Sequence, residues 1–304
     1  MGRIAEALKR AQEERARRAD DPHAARSSES GGRFQQALRR GRARGQDQPD
    51  DVLGSTIDAP PRSEPLATVA DPILPEMVPP QVVTFHDPTS QIAEKYRSVR
   101  TRLLTGNPTG SARALAITSS LAGEGKTVTV GNLGFSLGEL RHLRVCAIDL
   151  DVRRRGLSKL FGVQDRPGMA ELLRGEKKLS EVCMPVVREN LFMVPAGDPQ
   201  SANPSELISS GYAQRIFREL NERFHYTLVD TPPINTAADI GLIAPMCHAV
   251  VLVIRMHKTP EPVLQRCVKL LQANHLTIAG CILAGCDDQV AGYSETQDYY
   301  DSGA

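Results

Sequence analysis

Ala114-Leu115-Ala116-Ile117-Thr118 is an apolar run that feeds directly into Ser119-Ser120-Leu121-Ala122-Gly123-Glu124-Gly125-Lys126-Thr127. The first part suits a buried strand, and residues 128–140 read as a helix. Strand, Gly-rich turn ending in Lys-Thr, then helix is the setting that a Walker A phosphate loop requires. Position 120 holds Ser where the general pattern has Gly. Gly123 and Gly125 let the backbone bend and aim its N–H groups inward. The start of the helix adds the positive end of its dipole. On this reading Lys126 reaches the β- and γ-phosphates, and the Thr127 hydroxyl holds Mg²⁺. Gly123, Glu124, Gly125, Lys126, Thr127 and Val128 form the nucleotide-binding segment, so ATP and Mg²⁺ are the expected cofactors.

Two more apolar runs end in acids. Val145-Cys146-Ala147-Ile148 leads into Asp149-Leu150-Asp151-Val152-Arg153, and Tyr226-Thr227-Leu228-Val229 leads into Asp230-Thr231-Pro232-Pro233. If the chain stays extended past Asp149, the carboxylates of Asp149 and Asp151 point to one side. In a parallel sheet all strand carboxyl ends share one edge, where ligands bind. Asp149, Asp151 and Asp230 are therefore expected near Lys126 and Thr127. Hard oxygen ligands beside phosphate favour Mg²⁺, with Thr127, Asp149 and Asp230 as the metal set.

Strand candidates at 114–118, 144–150, 191–194, 227–229, 249–254 and 278–283 are rich in Val, Ile, Leu and Ala, with little alternation. That pattern fits a parallel sheet covered on both faces. A helix opens at Thr259-Pro260-Glu261, with Thr259 as the expected cap, and stops at Asn274. The expected fold is α/β: a doubly wound, mostly parallel sheet of the P-loop NTPase type.

The 304-residue chain carries a net charge of +1, with 40% hydrophobic and 24% charged residues. These values exclude a wholly disordered chain and give no case for nucleic acid as partner. Apolar runs fall short of a bilayer span, and the N-terminus lacks the apolar core of a secretory signal. The six cysteines form no CxxC pair and read as reduced core thiols.

Charge is unevenly spread. Residues 1–50 hold 12 Lys/Arg against 8 Asp/Glu, whereas residues 287–304 hold five acids and no Lys or Arg. Residues 19–80 are rich in Pro, Ser, Asp and Gly and read as linker. Gly2-Arg3-Ile4-Ala5-Glu6-Ala7-Leu8-Lys9-Arg10 reappears as Gly32-Arg33-Phe34-Gln35-Gln36-Ala37-Leu38-Arg39-Arg40. Each copy places two apolar residues on one side of a short cationic helix, suited to docking on a partner or an anionic surface. The expected layout is a mostly disordered region at 1–80 with two short helices, a catalytic domain at 81–286, and a flexible acidic tail at 287–304.

The motifs resemble, in order, those of the bacterial tyrosine kinase (BY-kinase) family, which is unrelated to eukaryotic protein kinases. They are the Walker A segment 120–127, the D-x-D-x-R segment from Asp149 to Arg153, and the D-x-P-P segment from Asp230. Before the first strand, Glu94-Lys95-Tyr96-Arg97-Ser98-Val99-Arg100 matches the family's E-x-x-R-x-x-R. Tyr293, Tyr299 and Tyr300 match its C-terminal tyrosine cluster. The resemblance covers about residues 82–304. One departure is Arg155-Gly156, where the family commonly has Pro.

The resemblance implies an ATP-dependent protein-tyrosine kinase that phosphorylates its own tail tyrosines in trans. It implies a ring-like oligomer contacting through Glu94, Arg97 and Arg100, and a role in extracellular polysaccharide synthesis or export. It also implies a cytoplasmic protein at the inner face of the membrane, activated by a membrane-embedded polysaccharide co-polymerase and reversed by a phosphotyrosine phosphatase. A phenol of pKa about 10 needs an acceptor for its proton. Either Asp149 or Asp151 serves as that base, with the other near the metal. Asp230 orients metal-bound water, and Lys126 with Arg153 spreads charge on the transferred phosphoryl group. A Min/Par-type ATPase switch is the alternative, but such proteins carry a second lysine where this chain has Leu121. A non-catalytic ATP-binding adaptor of polysaccharide export is the other.

Overall fold

The computed structural model describes residues 68–200, 203–209, 211–234 and 240–286. The repeats at 2–10 and 32–40 and the tail's Tyr293, Tyr299 and Tyr300 lie outside them. In chain order the elements are α1 (Val83–His86), α2 (Gln91–Thr105), β1 (Arg113–Ser119), α3 (Lys126–Gly138), β2 (Val145–Asp149), α4 (Gly156–Leu160), α5 (Met169–Arg174) and α6 (Leu179–Val182). Then follow β3 (Met184–Val186), β4 (Arg188–Val194), α7 (Pro204–Ile208), α8 (Gly211–Arg223), β5 (Tyr226–Asp230), α9 (Ile240–Ile243), β6 (Ala249–Arg255), α10 (Glu261–Ala273) and β7 (Ile278–Ala284).

The strands form one sheet in the order β3-β4-β2-β5-β1-β6-β7. β1 lies between β5 and β6, and β2 between β4 and β5, all parallel. One set of helices, α5 to α8, packs its apolar residues on one face around Phe192, Phe217 and Phe224. The other face is covered by α3, α4 and the N-terminal segment around Ile117, Phe135 and Phe161. This is the doubly wound α/β architecture expected from the sequence.

Among the described strands only β3 is antiparallel, pairing with β4 at the edge. Its three residues include Pro185, which has no N–H for a ladder, so neither length nor pattern marked it as a strand. The opposite edge strand, β7, is largely exposed along its length. The expectation of cover on both faces therefore fails there.

Residues before position 80 also pack against the sheet. Ile73 is fully buried, its N–H donates to the Pro185 carbonyl at 2.8 Å, and the Ile73 carbonyl accepts Val187 N–H at 3.0 Å. Val69 joins them, its N–H donating to the Ser180 carbonyl at 3.0 Å. A lone isoleucine between prolines has no periodicity by which its burial could be read. Among the described residues no helix is long and apolar enough to cross a membrane. All six cysteines are free; Cys146, Cys183 and Cys267 are buried, Cys247 is half-buried, and Cys281 and Cys286 are exposed.

Candidate active site

The turn after β1 closes with Gly123 and Gly125 at φ +76° and +101°, a region that side chains other than glycine rarely adopt. Gly125 is the N-cap of α3, so the helix begins at Lys126 itself rather than at the expected residue 128. Lys126 and Thr127 thus occupy the first turn, beside the free backbone N–H groups of the helix end. α3 is almost wholly buried, so the loop is anchored on the core.

Three aspartates meet this turn. β2 and β5 are in register so that Asp149 lies opposite Asp230. Thr127 Oγ1 donates to Asp230 Oδ2 at 2.8 Å. Asp151 Oδ2 lies 3.8 Å from Lys126 Nζ. β2 ends at Asp149, so a continued strand does not carry Asp151 into place. Instead a turn brings it back, with Asp151 Oδ1 accepting the Arg154 N–H at 3.2 Å. Arg153 is exposed on that turn. Lys126, Thr127, Asp149, Asp151 and Asp230 thus lie together at one edge of the sheet.

Two residues that the sequence did not single out shape the site. Ser158, near the start of α4, donates both its N–H (2.8 Å) and its hydroxyl (2.7 Å) to Asp149 Oδ2, and its oxygen accepts Ala196 N–H at 2.8 Å. Nothing in the pattern of a short helix announces that role. Gly156 is the second: a Cβ there would lie 3.0 Å from Thr127 Oγ1. The glycine at the departure from the family pattern is thus a close-approach residue.

Asp149 and Asp230 are fully buried. Burial pushes the Asp149 carboxyl up to about 6. It pushes Asp230 up to about 7, with Lys126 opposing and the charge of Asp149 adding to the rise. Asp149 Oδ1, Asp151 Oδ2 and Asp230 Oδ1 are buried without a hydrogen-bond partner. Buried carboxylate oxygens left this way are costly unless a cation joins them. Among the described residues no three His, Cys, Asp or Glu side chains stand close enough to hold a metal by themselves.

Glu124 was expected to face the nucleotide. Its side chain instead turns within the protein: one oxygen accepts Leu121 N–H at 3.0 Å and the other accepts the Thr259 hydroxyl. Thr259 is accordingly not the helix cap; Pro260 holds that position in α10, while Asn274 ends the helix as expected.

A family model described as AAA domain matches residues 112–266. "Putative tyrosine-protein kinase CapB" of Staphylococcus aureus is 30% identical over 199 residues, covering 65% of this chain and 86% of that protein. The chain belongs to the bacterial tyrosine-kinase family. Tyrosine-protein kinase YwqD of Bacillus subtilis is 26% identical over 222 residues, 72% of this chain and 93% of that protein. The kinase domain of Escherichia coli tyrosine kinase ETK superposes with a TM-score of 0.62 at 25% identity, covering 66% of this chain and 78% of that one.

The helix motif of the tyrosine-kinase family lies on α2. Glu94 is exposed and accepts Arg97 at 3.1 Å. Arg97 also makes a two-pronged contact with Glu139, Nε at 3.1 Å and Nη2 at 2.9 Å. Arg100 donates to Glu139 at 2.5 Å and to the Ser136 carbonyl at 2.6 Å. Burial alone would raise the Glu139 carboxyl, but hydrogen bonds from the two arginines hold it below the usual range. Both arginines thus brace the C-terminal end of α3 within the chain.

Proposed function

We propose that this kinase transfers the γ-phosphoryl group of ATP to tyrosine hydroxyls, including Tyr293, Tyr299 and Tyr300 of a neighbouring copy, and so regulates extracellular polysaccharide synthesis or export. One observation carries the chemistry: three buried aspartates border Lys126 and Thr127, with one oxygen of Asp149 and one of Asp230 taking no hydrogen bond and Asp151 paired with Lys126. Family membership supports the acceptor, and the names of the relatives are those of tyrosine-protein kinases.

In this reading the loop N–H groups and Lys126 hold the phosphates. Thr127, Asp149 and Asp230 would hold Mg²⁺, which when bound supplies charge neutralisation for the transferred group. Asp151 suits the role of base. Its Oδ2 takes no hydrogen bond and lies 3.8 Å from Lys126 Nζ, where the γ-phosphate would sit, whereas one Asp149 oxygen is already occupied by Ser158. The exposed Arg153 would meet the acidic tail or the transferred group. Glu94, with Arg97 and Arg100 behind it, would form the contact between copies in a ring. Residues from 68 to 286 would form the kinase domain, with an N-terminal extension before it and an acceptor tail after it. We place the protein at the cytoplasmic face of the membrane, activated by a membrane-embedded co-polymerase and reset by a phosphotyrosine phosphatase.

The test is incubation with radiolabelled ATP, with and without such an activator, followed by phosphotyrosine mapping. Label on the tail tyrosines that disappears in Lys126→Ala is expected. ATP hydrolysis with no labelled protein would favour a nucleotide switch instead.

A further inference from the structure

We propose that Tyr212, at the start of α8, is a further phosphoryl acceptor, modified by a neighbouring copy, and that its phosphate draws Arg174 away from the segment after β4. This rests on the kinase reading above and adds an acceptor inside the folded domain to those in the tail.

Three of the six tyrosines fall in the tail. Of the three among the described residues, Tyr226 is 2% exposed and donates to the Leu103 carbonyl at 3.3 Å. Tyr96 is half-buried and hydrogen-bonded to Thr129. Tyr212 is 45% exposed. Only a hydroxyl at the surface can be offered to a second copy. Its own site is out of reach, because α8 covers a face of the sheet while Lys126 and the acids lie at its edge.

The surroundings suit a phosphate. Tyr212 stands in the first turn of the 13-residue α8, where the helix dipole favours an anion. Arg215, one turn on, has its guanidinium carbon 5.8 Å from the ring centroid. Its planar fork matches phosphate oxygens. The ring lies against Gly175, the C-cap of α5 at φ +74°; a Cβ there would be 2.6 Å from Tyr212 Cζ and 2.8 Å from its hydroxyl oxygen. The glycine makes room for the ring, and the hydroxyl stands over the residue between Arg174 and Glu176.

Arg174 is a brace. Its Nε and Nη2 donate to Glu176 at 2.8 and 2.9 Å, Nη2 also to Glu171 at 3.2 Å, and Nη1 to the Asp198 carbonyl at 2.7 Å. Glu171 in turn accepts Asp198 N–H at 3.0 Å. These bonds hold the segment whose Ala196 N–H is tied to Ser158, and Ser158 holds Asp149. A phosphate of roughly −1.5 to −2 charge repels Glu171 and Glu176 and competes for Arg174. An arginine–phosphate pair outweighs a bond to a neutral carbonyl. Asp198 is thereby released, and the support behind Asp149 loosens.

The transfer balances. Tyr212 Oη forms a bond to the γ-phosphorus of ATP, the bond to the bridging oxygen breaks with its electron pair leaving on ADP, and the hydroxyl proton passes to the base.

The experiment mixes an isotopically heavy Lys126→Ala chain, unable to transfer phosphate itself, with the wild type, ATP and Mg²⁺. Mass spectrometry then maps phosphate on the heavy chain, and hydrogen exchange follows residues 196–200. Phosphate on Tyr212 is expected, with protection lost over 196–200 relative to a heavy Lys126→Ala, Tyr212→Phe chain treated alike. Arg174→Gln should lose the same protection with no phosphate added. Modified tail tyrosines beside a bare Tyr212 would overturn the proposal. Modified Tyr212 with unchanged exchange would overturn its link to Arg174. Absence of phosphate from every tyrosine would instead overturn the kinase reading beneath it.

Discussion

Thr127 and Asp230, 103 positions apart, share a 2.8 Å hydrogen bond at the end of β5. A side chain in the first turn of α3 is thereby fixed to the strand that carries a buried acid, and this bond orients both toward one task. Thr127→Val and Asp230→Asn should each lower tyrosine phosphorylation by about a hundredfold or more, the scale seen when a preorganised charge-stabilising group is removed. Thr127→Ser should keep most of it. Phosphotyrosine formation per unit time, with circular dichroism to verify folding, is the measurement; wild-type rates in both disruptive variants would refute the assignment.

Gly156 yields a finer probe of the same bond. Alanine there would place its Cβ 3.0 Å from Thr127 Oγ1, tighter than ordinary contact. Gly156→Ala should reduce activity and weaken Mg²⁺ dependence while the fold survives. An unchanged Mg²⁺ titration would mean the loop moves aside at no cost.

Glu139 gathers Arg97 and Arg100 onto the end of α3. Glu139→Gln should destabilise the chain by about 1–3 kcal/mol, the range for charge-assisted hydrogen bonds. Chemical denaturation would measure it. A shift in oligomer size with no change in stability would show that the arginines act between copies rather than within one.

His225 lies half-buried between α8 and β5, and its Nδ1 accepts the Arg144 N–H at 3.0 Å. Burial, then the nearby charges of Arg144 and His142, hold its pKa below the ordinary 6.5. The unfolded chain therefore binds the proton first as pH falls, so this group's contribution to stability is lost on acidification below about 6.5. Melting temperatures between pH 5 and 8 should fall less steeply in His225→Gln than in wild type; parallel curves would dismiss the effect.

Phosphorylation of Tyr293, Tyr299 and Tyr300 would add roughly −1.5 to −2 charge each to a tail that already holds five acids. Repulsion should release it from a neighbour's site, so unphosphorylated protein should elute from a sizing column as larger assemblies. Identical elution in both states would remove the tail from control of assembly.

The strands that carry the site were legible because each of β1, β2 and β5 is a continuous apolar run ending in a polar group, a pattern that needs no tertiary information. Asp149 and Asp230 followed directly, since strand ends in a parallel sheet share an edge. Asp151 arrived for a different reason from the one expected: a turn, held by Arg154 N–H, replaced the extended chain. Glu139 and the Glu124–Thr259 pair were hidden because each acts through a partner tens of residues away, and Ser158 because it meets Asp149 nine positions back across a turn; a polar residue in sequence does not declare whom it meets. Pro185 masked β3 for the local reason that it lacks a donor.

Lys126, Thr127 and the buried acids hang from β1, β2 and β5, three adjacent strands in the middle of the sheet. Such a centre cannot loosen by fraying at a border. It persists whole until the entire domain melts cooperatively, so heat should extinguish catalysis and tertiary structure in a single coincident transition.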